Sequence, residues 1–119
     1  MPGKVEGFQA FRTKMNERIL ETGNLETKRF WALDDRVYKE GALPAKTKEL
    51  LGLVASMVLR CDDCITYHVI QCAEAGVSRQ EFVEAFNVAL IVGGSIVIPH
   101  LRRATEALDE IEAAKGRKS

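Results

Sequence analysis

The chain has 119 residues, a length typical of one domain, and its 46% apolar content is enough to form a core. Lys plus Arg and Asp plus Glu each number 17, so the formal net charge is zero. This balance argues against a nucleic-acid or anionic-membrane partner, because both require a basic excess. The start of the chain, MPGKVEGFQAF, lacks the apolar stretch of an export signal, so we expect a cytoplasmic protein.

The apolar pattern is helical from the beginning of the chain. A stripe of residues recurs at spacings of three and four, as on one face of a helix: Val5, Phe8, Phe11, Met15 and Ile19. Gly23 is a natural stop for this first helix, and Asn24 can cap the next one.

The second predicted helix carries Phe30, Leu33 and Val37 on one side and is expected to end near Gly41. Its two neighbouring aromatic residues, Phe30 and Trp31, are predicted to lie in the core rather than to contact a substrate.

Start and stop signals place the next helices. Pro44 suits the first turn of a third helix that runs to about Arg60, and a fourth covers Asp62–Ala75. Ser78 and Glu81 form a capping box that opens a fifth. No run shows strand alternation, so residues 1–119 are predicted to form one all-α bundle of about six helices.

The fifth helix, expected to run to about Val92 with a sixth beginning near Ser95, is unusually apolar. Glu84 is the only charge between Phe82 and Ile98. A helix that is apolar all round must be buried on all sides, which predicts a homo-oligomer; a central core helix in a monomer is the alternative. The nearly uncharged run of residues 85–99 is shorter than the ~20 residues that cross a bilayer.

All three cysteines lie in RCDDCITYHVIQC, residues 60–72. On a wheel of about 100° per residue, Cys61, Cys64, His68 and Cys72 share one face. Cys61 and Cys64 can close a disulfide, and His68, one turn beyond Cys64, can act as a base. The position of His68 favours Cys64 as the attacking thiol, whereas the positive end of the helix dipole favours Cys61.

Two carboxylates, Asp62 and Asp63, stand between the paired cysteines. In the first turn of a helix they stabilise it, but they also repel a neighbouring thiolate. The sequence leaves open which influence is stronger.

A metal site at Cys61, Cys64 and His68 is an alternative, because zinc accepts these ligand types. Cys72 cannot complete it, since eight residues of helix separate Cys72 from Cys64 by ~12 Å. Cys72 is therefore predicted to be a buried, small apolar residue.

Glu49 lies twelve residues before Cys61, so ELLGLVASMVLRCDDCITYH reads E-x11-C-x-x-C-x-x-x-H. With GVSRQEFVEAFNVALIVGG further on, this pattern resembles the alkyl hydroperoxidase D-like branch of the carboxymuconolactone decarboxylase family, over roughly residues 41–108.

The resemblance implies an all-α homo-oligomer, commonly a trimer or hexamer. It also implies a peroxidase or disulfide reductase in which Cys61 and Cys64 are the redox pair and Glu49 and His68 relay a proton. Such a protein takes a small peroxide or disulfide and needs no bound cofactor, only an external thiol, dithiol or reducing partner protein. Decarboxylase members generally lack the cysteine pair, so their reaction is not expected. Some peroxidase members carry a histidine where this chain has Asp63.

Other interpretations stay open at this stage. The cysteines can belong to a non-catalytic redox-sensing or assembly module. Glu49 can be a solvated residue at a helix start, and His68 a core histidine bonded to a backbone carbonyl. Tyr67 lies off the cysteine face and is expected to pack at an interface or on the first helices. His100 is assigned a structural or surface role, with the pocket of a neighbouring subunit as the alternative.

Overall fold

The computed structural model describes residues 3–118, and all regular structure within that range is helical. Six α-helices follow in chain order: α1 (Lys4–Thr22), α2 (Leu25–Val37), α3 (Ala45–Leu59), α4 (Asp62–Glu74), α5 (Arg79–Gly93) and α6 (Ile98–Lys118). A short 3-10 helix, Ser95–Val97, leads into α6. The predicted all-α bundle of six helices is confirmed.

Side-chain caps begin two of the helices as the sequence predicts. The Asn24 side chain accepts a hydrogen bond from the Thr27 N–H at 3.2 Å, at the start of α2. At the start of α5, the Ser78 hydroxyl accepts from the Glu81 N–H at 3.2 Å, and the Glu81 carboxylate accepts from the Ser78 N–H at 2.8 Å. Each cap satisfies backbone donors that have no partner within the helix.

Helix α2 ends at Val37, four residues before the predicted end near Gly41. The Lys48 ammonium, from the first turn of α3, donates to the carbonyl of Val37 at 2.9 Å and to that of Lys39 at 2.7 Å. These bonds satisfy carbonyls at the end of α2 and just beyond it, where the helix itself offers no donor.

The core lies among α3, α4, α5 and α6. Helix α4 packs against both α3 and α6, and α3 also packs against α5. The fully buried residues of this core are Leu53, Met57, Ile65, Val69, Cys72, Phe82, Ala89, Val97, Ala104, Ala107 and Leu108. The site described below is built on α3 and α4, the most closely packed of these elements.

Helices α1 and α2 contribute no fully buried residue. The start of α1 is tied to α6 by a hydrogen bond from the Val5 N–H to Glu110, 3.3 Å long. Phe30 is 66% exposed and Trp31 is only half-buried, so the prediction that both lie in the core is wrong. Because this pair of helices is loosely covered, the radius of gyration is 15.0 Å, against roughly 13.5 Å for a compact chain of this length.

Helix α5 is buried on one side only. Phe82, Phe86 and Ala89 face the core, but Ile91 is 85% exposed and Val92 65%. The expectation of burial on all sides is not met within one chain, and the alternative of a central core helix in a monomer is wrong. Among the helices within residues 3–118, none is long and apolar enough to cross a membrane.

Candidate active site

The turn between α3 and α4 places the first cysteine at a helix start. Arg60 adopts a left-handed conformation with φ of 61°. The Cys61 N–H bonds to the Ser56 carbonyl and the Arg60 N–H to that of Met57, both at 3.1 Å. This pair of bonds is a Schellman motif, in which glycine is the usual left-handed residue. It reverses the chain within two residues, so that Cys61 becomes the N-cap of α4.

Cys61 and Cys64 form a disulfide, with their Cα atoms 5.3 Å apart. The Cys61 sulfur also accepts a hydrogen bond from the Cys64 N–H at 3.3 Å. Cys64 is exposed, whereas Cys61 is half-buried. The Cys61–Cys64 disulfide that the spacing allows is therefore formed. Cys64, its more exposed residue, is open to solvent near the positive end of α4.

Glu49 and His68 meet in the interior between α3 and α4. The Nδ1–H of His68 donates to Glu49 Oε2 at 2.9 Å, and Glu49 is only 8% exposed. Glu49 is therefore not a solvated helix-start residue, and the partner of His68 is a carboxylate rather than a backbone carbonyl. A buried carboxylate bonded to one imidazole nitrogen fixes the orientation and the tautomer of the ring.

Tyr38, just beyond the end of α2, is the site residue that the sequence analysis missed. Its hydroxyl lies 3.4 Å from Nε2 of His68, so with Nδ1–H donated to Glu49, Nε2 accepts from the phenol. Burial, and then the negative charge of Glu49, raise the pKa of Tyr38. Tyr38 therefore stays protonated and remains a donor near neutral pH.

Gly52 makes room for this arrangement. A Cβ atom at Gly52 would lie 2.6 Å from Cε1 of His68 and 2.8 Å from the Tyr38 hydroxyl, too close for any side chain. Gly52 follows Glu49 by three residues and so lies on the same face of α3. A glycine at this position is the feature of the sequence that indicates a close approach of another element to α3 beside Glu49.

Tyr67 covers the other side of the imidazole. Its ring meets that of His68 edge-on, with centroids 5.1 Å apart, and the Arg12 guanidinium of α1 lies 4.2 Å from the Tyr67 centroid. Burial, followed by the charge of Glu49, raises the pKa of Tyr67. The prediction that Tyr67 packs on the first helices is confirmed.

A cavity of about 470 Å³ lies where α1 and α2 face α3 and α4. Its wall includes Glu49, Tyr38 and Tyr67 together with Trp31 and Asp34. Glu49 therefore borders a space beside the α1–α2 pair, while the disulfide lies at the start of α4, outside the lining of this cavity.

Cys72 is fully buried, in agreement with its predicted role as a small apolar residue. Burial, with a smaller contribution from the charge of Glu49, raises the pKa of Cys72 to about 12. A thiol held neutral in the core is not a nucleophile at neutral pH.

No three His, Cys, Asp or Glu side chains converge in a metal-binding arrangement within the described part of the chain. The proposed trio of Cys61, Cys64 and His68 is divided, because the two sulfurs bond to each other and both imidazole nitrogens have other partners. The structure thus offers no assembled ligand set at this position.

His100 lies on α6 and bonds to Asp62, at the start of α4, within the same chain. Its Nδ1 is 2.8 Å from Asp62 Oδ1, and the side chain is largely buried. This contact agrees with the structural role assigned to His100.

Fold and site together define an all-helical protein with a Cys-x-x-Cys disulfide at a helix start and a buried glutamate–histidine pair nearby. The model of the carboxymuconolactone decarboxylase family matches residues 25–107, and the chain belongs to this family. The match begins before residue 41 and so takes in α2 and Tyr38.

The chain is similar to known proteins along most of its length. An uncharacterized protein of the cox locus of Paracoccus denitrificans is 33% identical over 85 residues, which cover 71% of this chain and 77% of the relative. A crystal structure of a Thermotoga maritima family member, described as a candidate for a role in an antioxidative response, gives a TM-score of 0.90 at 53% identity, covering 94% of this chain and 95% of that one. A Legionella pneumophila family member, crystallised in its apo form, gives 0.73 at 30% identity, covering 92% and 96%.

Proposed function

We propose that the protein is a thiol-dependent oxidoreductase that reduces a small peroxide or a disulfide. Cys61 and Cys64 are its redox pair, and His68 and Glu49 relay the proton. The observation that carries the proposal is the Glu49–His68 hydrogen bond of 2.9 Å, buried one helical turn from a closed Cys61–Cys64 disulfide. An acid–base pair at this distance from a cysteine supports a reactive thiol, because a nucleophilic thiol needs a base that takes its proton and a group that orients the base.

With a peroxide as substrate, the reaction begins from the reduced pair. The Cys64 thiol loses its proton to Nε2 of His68, which gives up its hydrogen bond from the Tyr38 hydroxyl as it accepts the proton, and the resulting imidazolium is stabilised by Glu49. The thiolate attacks the peroxide, an S–O bond forms as the O–O bond breaks, and the alcohol leaves with a proton. The product on the protein is a sulfenic acid on Cys64.

Cys61 then resolves this intermediate. Its thiolate attacks the Cys64 sulfur, the S–O bond breaks, water leaves, and the disulfide seen here is formed. An external thiol, dithiol or reducing partner protein in the cytoplasm reopens it and is itself oxidised. With a disulfide as substrate, the same reduced pair transfers its two electrons by thiol–disulfide exchange. Neither route needs a bound cofactor.

Cys64 is proposed as the attacking thiol because it is more exposed than Cys61 and precedes His68 by one turn. The test is to trap sulfenic acid after adding hydrogen peroxide to Cys61→Ser and Cys64→Ser. We expect the trapped product in Cys61→Ser only. Sulfenic acid forming at full rate in Cys64→Ser would assign the attack to Cys61.

The relay is tested by titrating free thiols before and after one equivalent of hydrogen peroxide, and again after dithiothreitol. We expect wild type to lose two thiols reversibly, and Glu49→Gln and His68→Ala to lose them about a hundredfold more slowly. Glu84→Gln, which alters an exposed carboxylate on α5, is the matched control and should behave as wild type.

Equal, slow loss in all four proteins would contradict a dedicated peroxidase. Reduction of a small disulfide by the reduced protein would then support the reductase, and disulfide formation without turnover would instead indicate a redox-sensing module.

Assembly into a homo-oligomer, a trimer or hexamer, belongs to the same proposal. The exposed apolar face of α5, including Val88, Ile91 and Val92, supports it, because monomers seldom leave such a continuous apolar surface in water. Light scattering coupled to size exclusion should give a mass of three or six chains, and Ile91→Glu should lower it. A monomer at micromolar concentration would contradict this assembly.

A further inference from the structure

Both oxygens of the Asp62 carboxylate are held by residues of α6. Asp62 Oδ1 lies 2.8 Å from His100 Nδ1, and the Arg103 guanidinium donates to Asp62 Oδ2 at 2.9 Å. His100 and Arg103 are three residues apart and therefore lie on the same side of α6. The side chain of Asp62 is 37% exposed, that of His100 16% and that of Arg103 51%.

The position of this carboxylate matters for the neighbouring sulfurs. Asp62 follows Cys61 directly and occupies the first turn of α4, next to the disulfide. A free carboxylate there disfavours a thiolate and would offset the stabilisation that the helix dipole gives to that thiolate. Asp63, the other acidic residue of the motif, is exposed, so solvent screens its charge more effectively.

We propose that Arg103 and His100 are positioning residues for the redox pair, which hold the Asp62 carboxylate and neutralise its charge so that the attacking thiol ionises near neutral pH. The inference rests on the proposed thiol chemistry but requires no particular substrate. Arg103 supplies the positive charge, and His100 supplies a hydrogen bond that orients the carboxylate. The acid–base step involved is the loss of one proton from a thiol, with no electron transfer.

Other charged groups lie on the elements next to the Cys61–Cys64 pair. None of them is changed in the experiment below. These groups are Glu49 on α3, Arg60 in the turn, and Asp63 and His68 on α4. Glu49 is bonded to His68. Asp62 is the carboxylate near the sulfurs whose partners come from α6.

The test measures alkylation of Cys64 by iodoacetamide in the reduced chain between pH 5 and 10, followed by peptide mass spectrometry. In Arg103→Ala we expect the midpoint of the pH profile to rise and the rate at pH 7 to fall about threefold to tenfold. Arg103→Lys should recover most of the rate, because the charge is restored. Asp62→Asn combined with Arg103→Ala should recover it as well, because no carboxylate is left to neutralise.

Arg102→Ala is the matched control, since it removes one exposed positive charge from the same helix. An equal loss of rate in Arg102→Ala and Arg103→Ala would overturn the inference, as it would reduce the effect to net charge. A slow Asp62→Asn/Arg103→Ala variant would overturn it too, because the effect would then be structural. Urea unfolding of each variant identifies any that has lost its fold.

The same data separate this inference from the proposed function. If the protein reduces neither peroxide nor disulfide but the profile still moves in Arg103→Ala, the proposed function fails and the inference stands. If turnover is present and the profile does not move, the inference alone fails.

Discussion

Phe82 on α5 is 1% exposed and Phe30 on α2 is 66% exposed, and this contrast separates α3–α6 from the α1–α2 pair. The first region holds the core and the Cys61–Cys64 pair. The second buries no residue fully, yet its Arg12 packs on Tyr67, whose ring contacts His68, and the adjoining Tyr38 hydroxyl contacts the imidazole of His68 directly. The core and the proposed catalytic residues thus belong to one part of the chain, and the other part completes the surroundings of His68.

Truncating each of the two phenylalanines should show the difference between these regions most clearly. Phe82→Ala removes a buried ring and should lower the free energy of unfolding by about 3–5 kcal/mol, because it loses hydrophobic contacts and leaves a cavity. Phe30→Ala should cost less than about 1 kcal/mol, since most of its ring is already in water. Urea unfolding of both variants measures the difference. Equal losses would mean that α2 is packed as firmly as the core.

Cys72 should make the core sensitive to alkaline pH. Burial raises its pKa to about 12 in the folded protein, so the folded state favours the neutral thiol. Its contribution to stability is complete below the pKa of the unfolded thiol, near 9, and is lost as pH rises from there toward 12. Between pH 8 and 10 the expected loss is about 1.4 kcal/mol.

Because tyrosines and lysines also titrate in this range, the measurement is a difference between two proteins. Urea unfolding at pH 8 and pH 10 is compared for Cys61→Ser/Cys64→Ser and for the same protein with Cys72→Ala. The pH-dependent loss should be larger where Cys72 is present. An identical loss in the two proteins would contradict the raised pKa.

Tyr38→Phe should show what α2 adds to the site without adding stability. Losing the phenol that donates to His68 should change the rate of peroxide-driven thiol loss by about threefold to tenfold, and the free energy of unfolding by less than about 1.5 kcal/mol. Tyr67→Phe keeps the ring that contacts His68 and serves as the control, with a rate close to wild type. A Tyr38→Phe rate equal to that of Tyr67→Phe would leave Tyr38 a packing residue only.

The E-x11-C-x-x-C-x-x-x-H pattern pointed to Glu49 and His68 as partners through the family resemblance, since the residues alone left Glu49 open as a solvated residue at a helix start. In the fold, a short turn brings α3 and α4 into contact, so residues on the facing sides of the two helices meet. Tyr38 could not be found in this way, because its place depends on the non-helical segment between α2 and α3. That segment is held by bonds from the Lys48 side chain to carbonyls nine and eleven residues earlier, which no local pattern encodes.

Apolar character was a weaker guide to burial than to helix formation. The apolar residues of α2 and α5 correctly indicate helices, but Phe30 and Ile91 are exposed in a single chain. An apolar pattern reports that a surface is suited to leave water, not which surface covers it. Likewise, the opposing effects of Asp62 could not be weighed from sequence, because His100 and Arg103 follow it by about forty residues.

The location of Glu49 has a consequence for how a reducing partner can dock. Glu49 borders the cavity beside α1 and α2, whereas Cys64 is exposed at the start of α4. In the proposed reaction, electrons therefore enter at one surface and protons exchange with solvent through another. A bulky reductant can therefore sit over the disulfide while it reopens it, and the proton path beside α1 and α2 stays open.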